Sequence, residues 1–475
     1  MKFRVEREVL ADAVAWVARA LPTRPVVPVL SALLVHADSD AVTLSCFDYE
    51  VSARVTLPAE VGEPGTALVP GRLLAEICKS LPPADAEVTA MPGQVVLTCG
   101  NAEFALVSLP TEDYPELPAL PAVAGTVDGG VLATAAAQVV PAASRDDTLP
   151  MLTGVCLEFE GAALTLAATD RYRLAVRTVS WEPADPAVRA VALVPARTLA
   201  DVARTMGAGG RVTVAVGQQD PDGSPADGMI SFEGGGRRLT ARLIGSEFIR
   251  YASRFPGSCE VSADLPPGPF IEAVRRVALV ADRTTPVQLA FHADAVLIEA
   301  RSDGRARALE SVPARFSGAE QAIAFNPHYL LDGLTAAALS GHGRLPAVSE
   351  TGPGEARSGG TVSGEARPGG TVPGETVPGE MRPGGTVPGE TVPGETGPGE
   401  TGPGETGPAQ MRPGGTGAGQ TRPSAAAVGG HIRLEFSTPA KPAVITWVDD
   451  DSPTDSAPFR YLVVPLRTPA TGAAN

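Results

Sequence analysis

Three aspartates in one recurring local pattern are the first residues whose type and spacing could carry chemistry. Asp48, Asp170 and Asp303 each follow an alternating apolar run, and they lie 122 and 133 residues apart. Clustered carboxylates can bind metal ions or transfer protons, but these three would meet only if three distant segments converged. An aspartate that recurs once per segment favours a structural role in a tight turn. The sequence contains no nucleotide-binding glycine loop and no nucleophile elbow, so it predicts no catalytic residues.

The cysteines give no sign of a metal or redox site. Their number is odd, they are scattered, and none forms a Cys-x-x-Cys pair or has a histidine at zinc-binding spacing. We interpret them as reduced, mostly buried thiols, and we expect neither a cofactor nor a metal ion. These five residues are Cys46, Cys78, Cys99, Cys156 and Cys259.

Size and charge narrow the class of protein. A chain of 475 residues is long enough for about three domains. The formal charge of −16 argues against a protein that coats nucleic acid with its whole surface, although a localised basic lining remains possible. The first residues, MKFRVEREVLADAV, resemble neither a secretion signal nor a membrane anchor, so we expect a cytoplasmic protein without a membrane partner.

One phrase, in which a strand is followed by a helix, occurs three times. It reads ALVPGRLLAEI from Ala67, ALVPARTLADV from Ala192 and IAFNPHYLLDGL from Ile323. The proline of each phrase is predicted at the first helical position, where its missing N–H costs no hydrogen bond. Apolar residues then follow at helical spacing.

Each phrase is preceded by an amphipathic helix and by a half-buried hairpin with the recurring aspartate near its turn. The order helix, hairpin, strand, helix, strands therefore occurs three times and predicts tandem α+β domains, each with two helices on antiparallel sheets. The predicted domains span 1–120, 124–258 and 262–467, followed by a flexible tail at 468–475. Domain 3 is interrupted by repeats of the TVPGE and TGPGE type at 346–429.

The repeat insertion has almost no large apolar residue and should be disordered. Loop closure costs only about 0.6 kcal/mol per doubling of length, so a surface loop can carry the insertion. A neutral repeat expansion and a dedicated binding arm both remain open.

Six segments in order give the chain a family resemblance. The opening MKFRVERE with TRPVVPVL, LTG-x-x-LEFE, ATDRYRLAV, the VP-x-R-x-L helix starts, FNPHYLLDGL and the closing YLVVPLR resemble the bacterial DNA polymerase III beta subunit, a sliding clamp. The resemblance implies a head-to-tail homodimeric ring that encircles double-stranded DNA without sequence specificity. It also implies a non-catalytic processivity subunit that tethers the polymerase III alpha subunit, the clamp loader and other proteins with clamp-binding motifs.

The resemblance also implies three sets of site residues. The implied DNA lining is Arg7, Arg19, Arg24, Arg72, Lys79, Arg145, Arg197, Arg204, Arg275 and Arg276. The implied partner-peptide pocket is Leu152, Gly154, Thr169, Asp170, Tyr172, Arg173, Leu174, Ile249, Pro442, Leu462, Val464, Pro465, Leu466 and Arg467, where the leucines accept apolar anchors and Arg173 fixes the peptide register. The implied dimer interface joins Phe104 and Leu106 to Leu279 and Val280, although an intradomain core is an equally good interpretation of these residues.

Several positions depart from the family pattern. Ile249 stands where relatives usually have proline, Ser253 where a basic residue is frequent, and Leu149 where arginine is common. Val464 is smaller than the usual methionine, and residues 468–475 extend the chain. These departures leave open a diverged second-copy clamp that binds clamp partners or inhibitors without acting as the main replication clamp.

Overall fold

The computed structural model describes residues 1–208, 210–217, 228–281, 285–302, 305–341, 429–450 and 458–466. These residues form three domains with the same element order. Domain 1 contains Lys2–Val5 (β1), Arg7–Ala18 (α1), Ala32–Asp38 (β2), Ala41–Phe47 (β3), Val51–Pro58 (β4), Glu60–Glu63 (β5), Gly65–Pro70 (β6), Gly71–Ser80 (α2), Ala86–Met91 (β7), Gln94–Cys99 (β8) and Ala102–Val107 (β9).

Domains 2 and 3 repeat this order. Domain 2 contains Val123–Asp128 (β10), Gly129–Val139 (α3), Gly154–Glu160 (β11), Ala163–Thr169 (β12), Arg173–Ser180 (β13), Glu182–Pro183 (β14), Arg189–Pro195 (β15), Ala196–Met206 (α4), Arg211–Val216 (β16), Met229–Gly234 (β17) and Arg237–Arg242 (β18). Domain 3 contains Val261–Leu265 (β19), Pro267–Val277 (α5), Val287–Phe291 (β20), Ala295–Ser302 (β21), Ala306–Pro313 (β22), Arg315–Ser317 (β23), Gln321–Phe325 (β24), Pro327–Ala338 (α6), Gly430–Phe436 (β25), Ala443–Asp449 (β26) and Phe459–Val463 (β27). The α+β class and the three tandem copies are confirmed.

The sheets continue across the domain boundaries. Strand β4 of domain 1 pairs with β18 of domain 2, which we call the first junction, and β13 of domain 2 pairs with β27 of domain 3, the second junction. Each junction is therefore built from backbone hydrogen bonds inside a nine-stranded antiparallel sheet. Among the strands at sheet edges in the described part of the chain are β9 of domain 1 and β22 of domain 3.

The helices pack in pairs on the inward face of these sheets. The pairs are α1 with α2, α3 with α4, and α5 with α6. Alternate strand residues face them and form one apolar core, as period-2 alternation requires; examples are Leu44, Leu166 and Ile298. Among the described residues, no helix is long and apolar enough to span a membrane.

The recurring aspartates occupy the predicted turns in domains 1 and 2. The carboxylate of Asp48 accepts hydrogen bonds from the N–H groups of Glu50 and Val51, at 3.0 and 2.7 Å. Asp170 does the same for Tyr172 and Arg173, both at 3.0 Å. The structural interpretation of these two aspartates is confirmed, whereas Asp303 lies outside the described residues.

The proline of the helix-start phrase holds its predicted position only in domain 3. Pro327 is the first residue of α6, and Asn326 caps the helix by accepting from the N–H groups of His328 and Tyr329. In domains 1 and 2 the prediction is wrong by one residue, because Pro70 and Pro195 are the N-cap residues and still have non-helical backbone. Both prolines also end the preceding strand.

The remaining fold predictions have mixed outcomes. All five cysteines are free thiols, and four are buried, as predicted. Strands β10 and β19 each begin one residue before the predicted domain starts at 124 and 262. The predicted insertion at 346–429 lies outside the described residues, except for its last residue. The tail at 468–475 also lies outside them, so the predicted disorder of the insertion and the predicted flexibility of the tail remain predictions.

Candidate functional site

The outer face of the second junction carries a row of apolar side chains. Residues in register on adjacent antiparallel strands share a face, and this register joins Thr169 to Leu174, Leu174 to Leu462, and Leu462 to Val444. Leu174, Leu462 and Val444 are 2%, 6% and 2% exposed. We call these four residues the floor row. Sequence reasoning identified three of its members and missed Val444, because every neighbour of that residue in β26 is also apolar and alternation gives no face.

The first junction has a polar row at the equivalent positions. There the register joins Phe47 to Ser52, Ser52 to Thr240, and Thr240 to Ser231. The Thr240 hydroxyl donates to that of Ser231 at 3.0 Å, and both side chains are buried. The Tyr114 hydroxyl accepts from the Phe47 N–H at 2.8 Å. Apart from Phe47 and Thr169, which reverse the pattern, the two junctions therefore carry hydroxyl side chains in the first row and aliphatic side chains in the second.

The C-terminal residues run along the second junction beyond β27. The Val464 N–H donates to the Tyr172 carbonyl, and the Leu466 N–H donates to the Ala324 carbonyl, both at 2.8 Å. Tyr172 is 53% exposed and Leu466 is 38% exposed, so two large side chains with apolar surface stand in solvent beside the buried floor row. Pro465 lies between the two bonded residues, and Arg467 lies outside the described residues.

Arg173 is turned away from the floor row, which corrects the predicted role of its side chain. Successive strand residues alternate in face, so Arg173 points to the helix side when Leu174 points outward. Its guanidinium contacts the carboxylates of Asp170 at 2.9 Å and Asp332 of α6 at 2.5 Å, and it lies 4.5 Å from the ring centroid of Tyr329.

The surroundings of Arg173 hold its charge in place. Its side chain is 10% exposed. Burial alone disfavours the cation, but Tyr461 and Asp332 outweigh burial, and the pKa of Arg173 lies above its ordinary value. The Tyr461 hydroxyl in turn donates to the Tyr329 carbonyl at 2.9 Å. Arg173 therefore joins domain 2 to domain 3 inside the second junction. Strand alternation could have revealed its orientation from the sequence.

The other predicted pocket residues are Leu152, Gly154 and Ile249 of domain 2 and Pro442 of domain 3, and none of them lies on β13 or β27. Leu152 is buried just before β11, and a Cβ at Gly154 would lie under 3 Å from the side chains of Leu193 and Ile244. Ile249 lines a separate outer cavity of about 830 Å³. In that cavity the Tyr251 hydroxyl donates to the Glu158 carboxylate. The pKa of the Tyr251 phenol lies above its ordinary value, mainly because the phenol is buried and also because of the hydrogen bond to Glu158 and its negative charge. Pro442 directly precedes β26 and is partly buried.

The unpaired edges carry the predicted interface residues in different environments. Leu279 is 83% exposed after α5, and Val280 and Phe104 are partly buried. Leu106 is only 2% exposed and belongs to the core of domain 1. Of the two interpretations left open for Leu106, its burial supports the intradomain core, because Phe104 and Leu106 lie on the inward face of β9 and the outward positions alternate with them.

Two exposed apolar residues on the same edges were missed. Val107 at the end of β9 is 69% exposed, and Leu309 on β22 is 49% exposed. Exposed apolar residues on an unpaired edge strand favour association with another chain. Alternation in β9 places Val107 on the face opposite Leu106, but it does not say which of the two faces is exposed.

The predicted basic lining divides into free and paired cations. Six of its members are exposed and have no carboxylate within 4 Å in the described ranges: Arg19, Arg24, Arg72, Lys79, Arg145 and Arg197. Arg204, Arg275 and Arg276 pair with Asp201, Glu272 and Glu310. Arg72 donates to the Leu21 and Pro22 carbonyls, and Arg7 donates to the Lys79 carbonyl. Neither α3 nor α6 contains a lysine or arginine, so the basic charge is unevenly spread.

Comparison with known proteins agrees with this architecture. Family models match residues 1–118, 126–249 and 254–340, and they are described as the N-terminal, central and C-terminal domains of the DNA polymerase III beta subunit. The chain is 51% identical to the beta sliding clamp of Streptomyces coelicolor, over 71% of this chain and 88% of that protein. It is 47% identical to the beta sliding clamp of Micrococcus luteus, over 66% of this chain and 99% of that protein.

Solved structures share the fold at lower identity. The sliding clamp from Bacillus subtilis has a TM-score of 0.72 at 20% identity, covering 98% of this chain and 99% of that one. The Pseudomonas aeruginosa clamp bound to griselimycin has a TM-score of 0.71 at 21% identity, covering 98% and 100% of the two chains. With three family models on three tandem domains, the chain belongs to the DNA polymerase III beta subunit family, the beta sliding clamps.

Proposed function

We propose that this protein is a sliding clamp that closes head to tail with a second copy around duplex DNA and tethers replication proteins through the second junction. The observation that carries the ring is the repeated junction. The strand after the first hairpin of one domain pairs with the last strand of the next domain twice within the chain. The same rule applied to domain 3 would join β22 to the β9 of another copy.

The strand order identifies the two edge strands that would pair between two copies. Strands β22 and β9 are the equivalents of the two partners in each internal junction, and both are sheet edges. Val107 lies on β9, Leu309 lies on β22 and Leu279 follows α5, and all three side chains are exposed. A second copy related by two-fold symmetry would pair β22 of each copy with β9 of the other, so that both of these edges are covered at once.

The helix side supports contact with DNA that does not depend on base sequence. Exposed arginines and lysines attract phosphates over long range, and contacts of this kind carry no base information. The chain as a whole has a net charge of −16, so its surface away from these cations would repel DNA. Such a distribution suits a protein that holds DNA and still slides.

The second junction supports the tethering role. An apolar floor beside the partly exposed side chains of Tyr172 and Leu466 suits a short peptide with aliphatic and aromatic anchors, such as a Gln-x-x-Leu-x-Phe motif. Burial of one Leu and one Phe contributes about 1.5 to 3 kcal/mol each before the cost of association, which is compatible with micromolar binding. The polymerase alpha subunit and the clamp loader are the partners that family membership implies.

Loading on DNA tests this function directly. The purified protein is incubated with the clamp loader of its own source organism, ATP and nicked circular DNA, and the bound fraction is isolated by gel filtration. We expect it to stay on the circle and to leave after the circle is cut once. Failure to load, together with normal binding of a Gln-x-x-Leu-x-Phe peptide, would support the second-copy alternative and contradict the replication role.

A further inference from the structure

We infer that Arg460 is a specificity residue of the proposed peptide groove and selects partner peptides that carry a carboxylate next to their apolar anchors. This inference rests on the proposed tethering function. Arg460 lies on β27, two residues from Leu462 and therefore on the same outward face. A separation of two residues along a strand is about 6.6 Å, which an adjacent side chain of a bound peptide can span.

The guanidinium of Arg460 has no carboxylate partner within 4 Å among the described residues, and its position in the sheet explains why. Its register partner on β26 is Thr446, a neutral residue. At the first junction the equivalent arginine, Arg238, faces Glu233 in register and binds it at 2.9 and 2.6 Å. The chain therefore neutralises this arginine at one junction and leaves it uncompensated at the other.

The neighbouring charges do not replace the missing partner. Arg433 lies beyond Thr446 in the same row and is bound by Asp264 at 2.7 and 3.0 Å. Glu435 is in register with Val444, two strands from β27, and acts on Arg460 only over a distance. Burial lowers the pKa of Arg460, and the negative charge of Glu435 offsets this only in part.

Phe255 orients the free cation. The guanidinium lies over the Phe255 ring, 4.1 Å from its centroid. Stacking covers one face of the guanidinium and leaves its N–H edge for an acceptor. A planar guanidinium edge matches a carboxylate through two parallel hydrogen bonds, so the chemistry selects aspartate or glutamate over a neutral side chain.

Binding of two matched peptides tests the inference. Both carry the Leu and Phe anchors, and the flanking residues are aspartate in one and asparagine in the other. Fluorescence anisotropy with the full-length protein at low salt should give about five- to tenfold tighter binding of the aspartate peptide. Arg460→Gln should reduce this ratio to about one, and Arg460→Lys should retain part of it because the charge remains.

Arg238→Gln is the matched control, since it removes the equivalent arginine at the first junction and should leave the ratio unchanged. A ratio of one in the unmodified protein, or a ratio that survives Arg460→Gln, would overturn the inference while the tethering function stands. Competition by single-stranded DNA for Arg460, without a preference between the peptides, would also overturn it. If neither peptide binds at all, the tethering function and this inference both fall.

Discussion

The first and second junctions share a backbone arrangement and differ in nearly every side chain that faces a partner. The first has a hydroxyl-bearing row, a neutralised Arg238 and a small apolar Val51 at the turn. The second has an apolar row, an uncompensated Arg460 and a buried Arg173. Backbone pairing thus fixes how the domains are connected, and the side chains on this shared backbone arrangement decide which junction can bind a partner.

The proposed third junction, between β22 of one copy and β9 of another, gives the largest expected effect. Leu279→Asp places an unpaired carboxylate where a second copy would bury an apolar side chain, which should weaken the dimer by at least about a hundredfold. Analytical ultracentrifugation over a concentration series measures this shift. Leu106→Asp is the contrasting variant, because it should unfold domain 1 and lower the melting temperature. An unchanged dimer in Leu279→Asp would break the analogy among the three junctions.

Copying the first junction onto the second should remove partner binding. Leu174→Ser gives the floor row the residue found at Ser52, and the loss of one leucine contact should weaken peptide binding by about thirtyfold or more. Isothermal titration calorimetry measures it, with Ser52→Ala as the matched control. Because Leu174 is buried, Leu466→Asp provides a second variant at a more exposed position. Normal binding in both variants would exclude the floor row as the peptide site.

These variants also show how far sequence reasoning reaches. The recurring aspartate turns and the three-domain order were predictable because turns and periodicity are local properties. The burial of Leu106 was not, since period-2 alternation identifies two opposite faces of a strand without saying which one meets the core. The free state of Arg460 depends on Thr446, which is close only after β26 and β27 pair, so no local pattern could reveal it.

The buried Arg173 should matter for stability more than its counterpart at the first junction. Arg173→Met removes the ion pairs to Asp170 and Asp332, and we expect a loss of about 2 kcal/mol, because Asp332 can regain water while Asp170 is largely buried. Chemical unfolding followed by circular dichroism measures the change. Val51→Met, at the equivalent position of the first junction, removes no ion pair and should cost less. Equal losses in the two variants would contradict a special role for Arg173.

The smallest effect comes from giving Arg460 the partner that Arg238 has. Thr446→Glu copies Glu233 in register, so the new carboxylate should occupy the Arg460 guanidinium and lower the preference for acidic peptides from about five- to tenfold to about twofold or less. Binding of the neutral peptide should change little, because Leu174, Leu462 and Val444 are untouched. Thr446→Gln controls for the change in size at this buried position, and the preference should survive in it. If the preference persists equally in Thr446→Glu and Thr446→Gln, the carboxylate of the peptide binds a different cation. If it is lost in the glutamate variant alone, Arg460 is the cation that binds the peptide, and its counterpart Arg238 at the first junction is neutralised by Glu233.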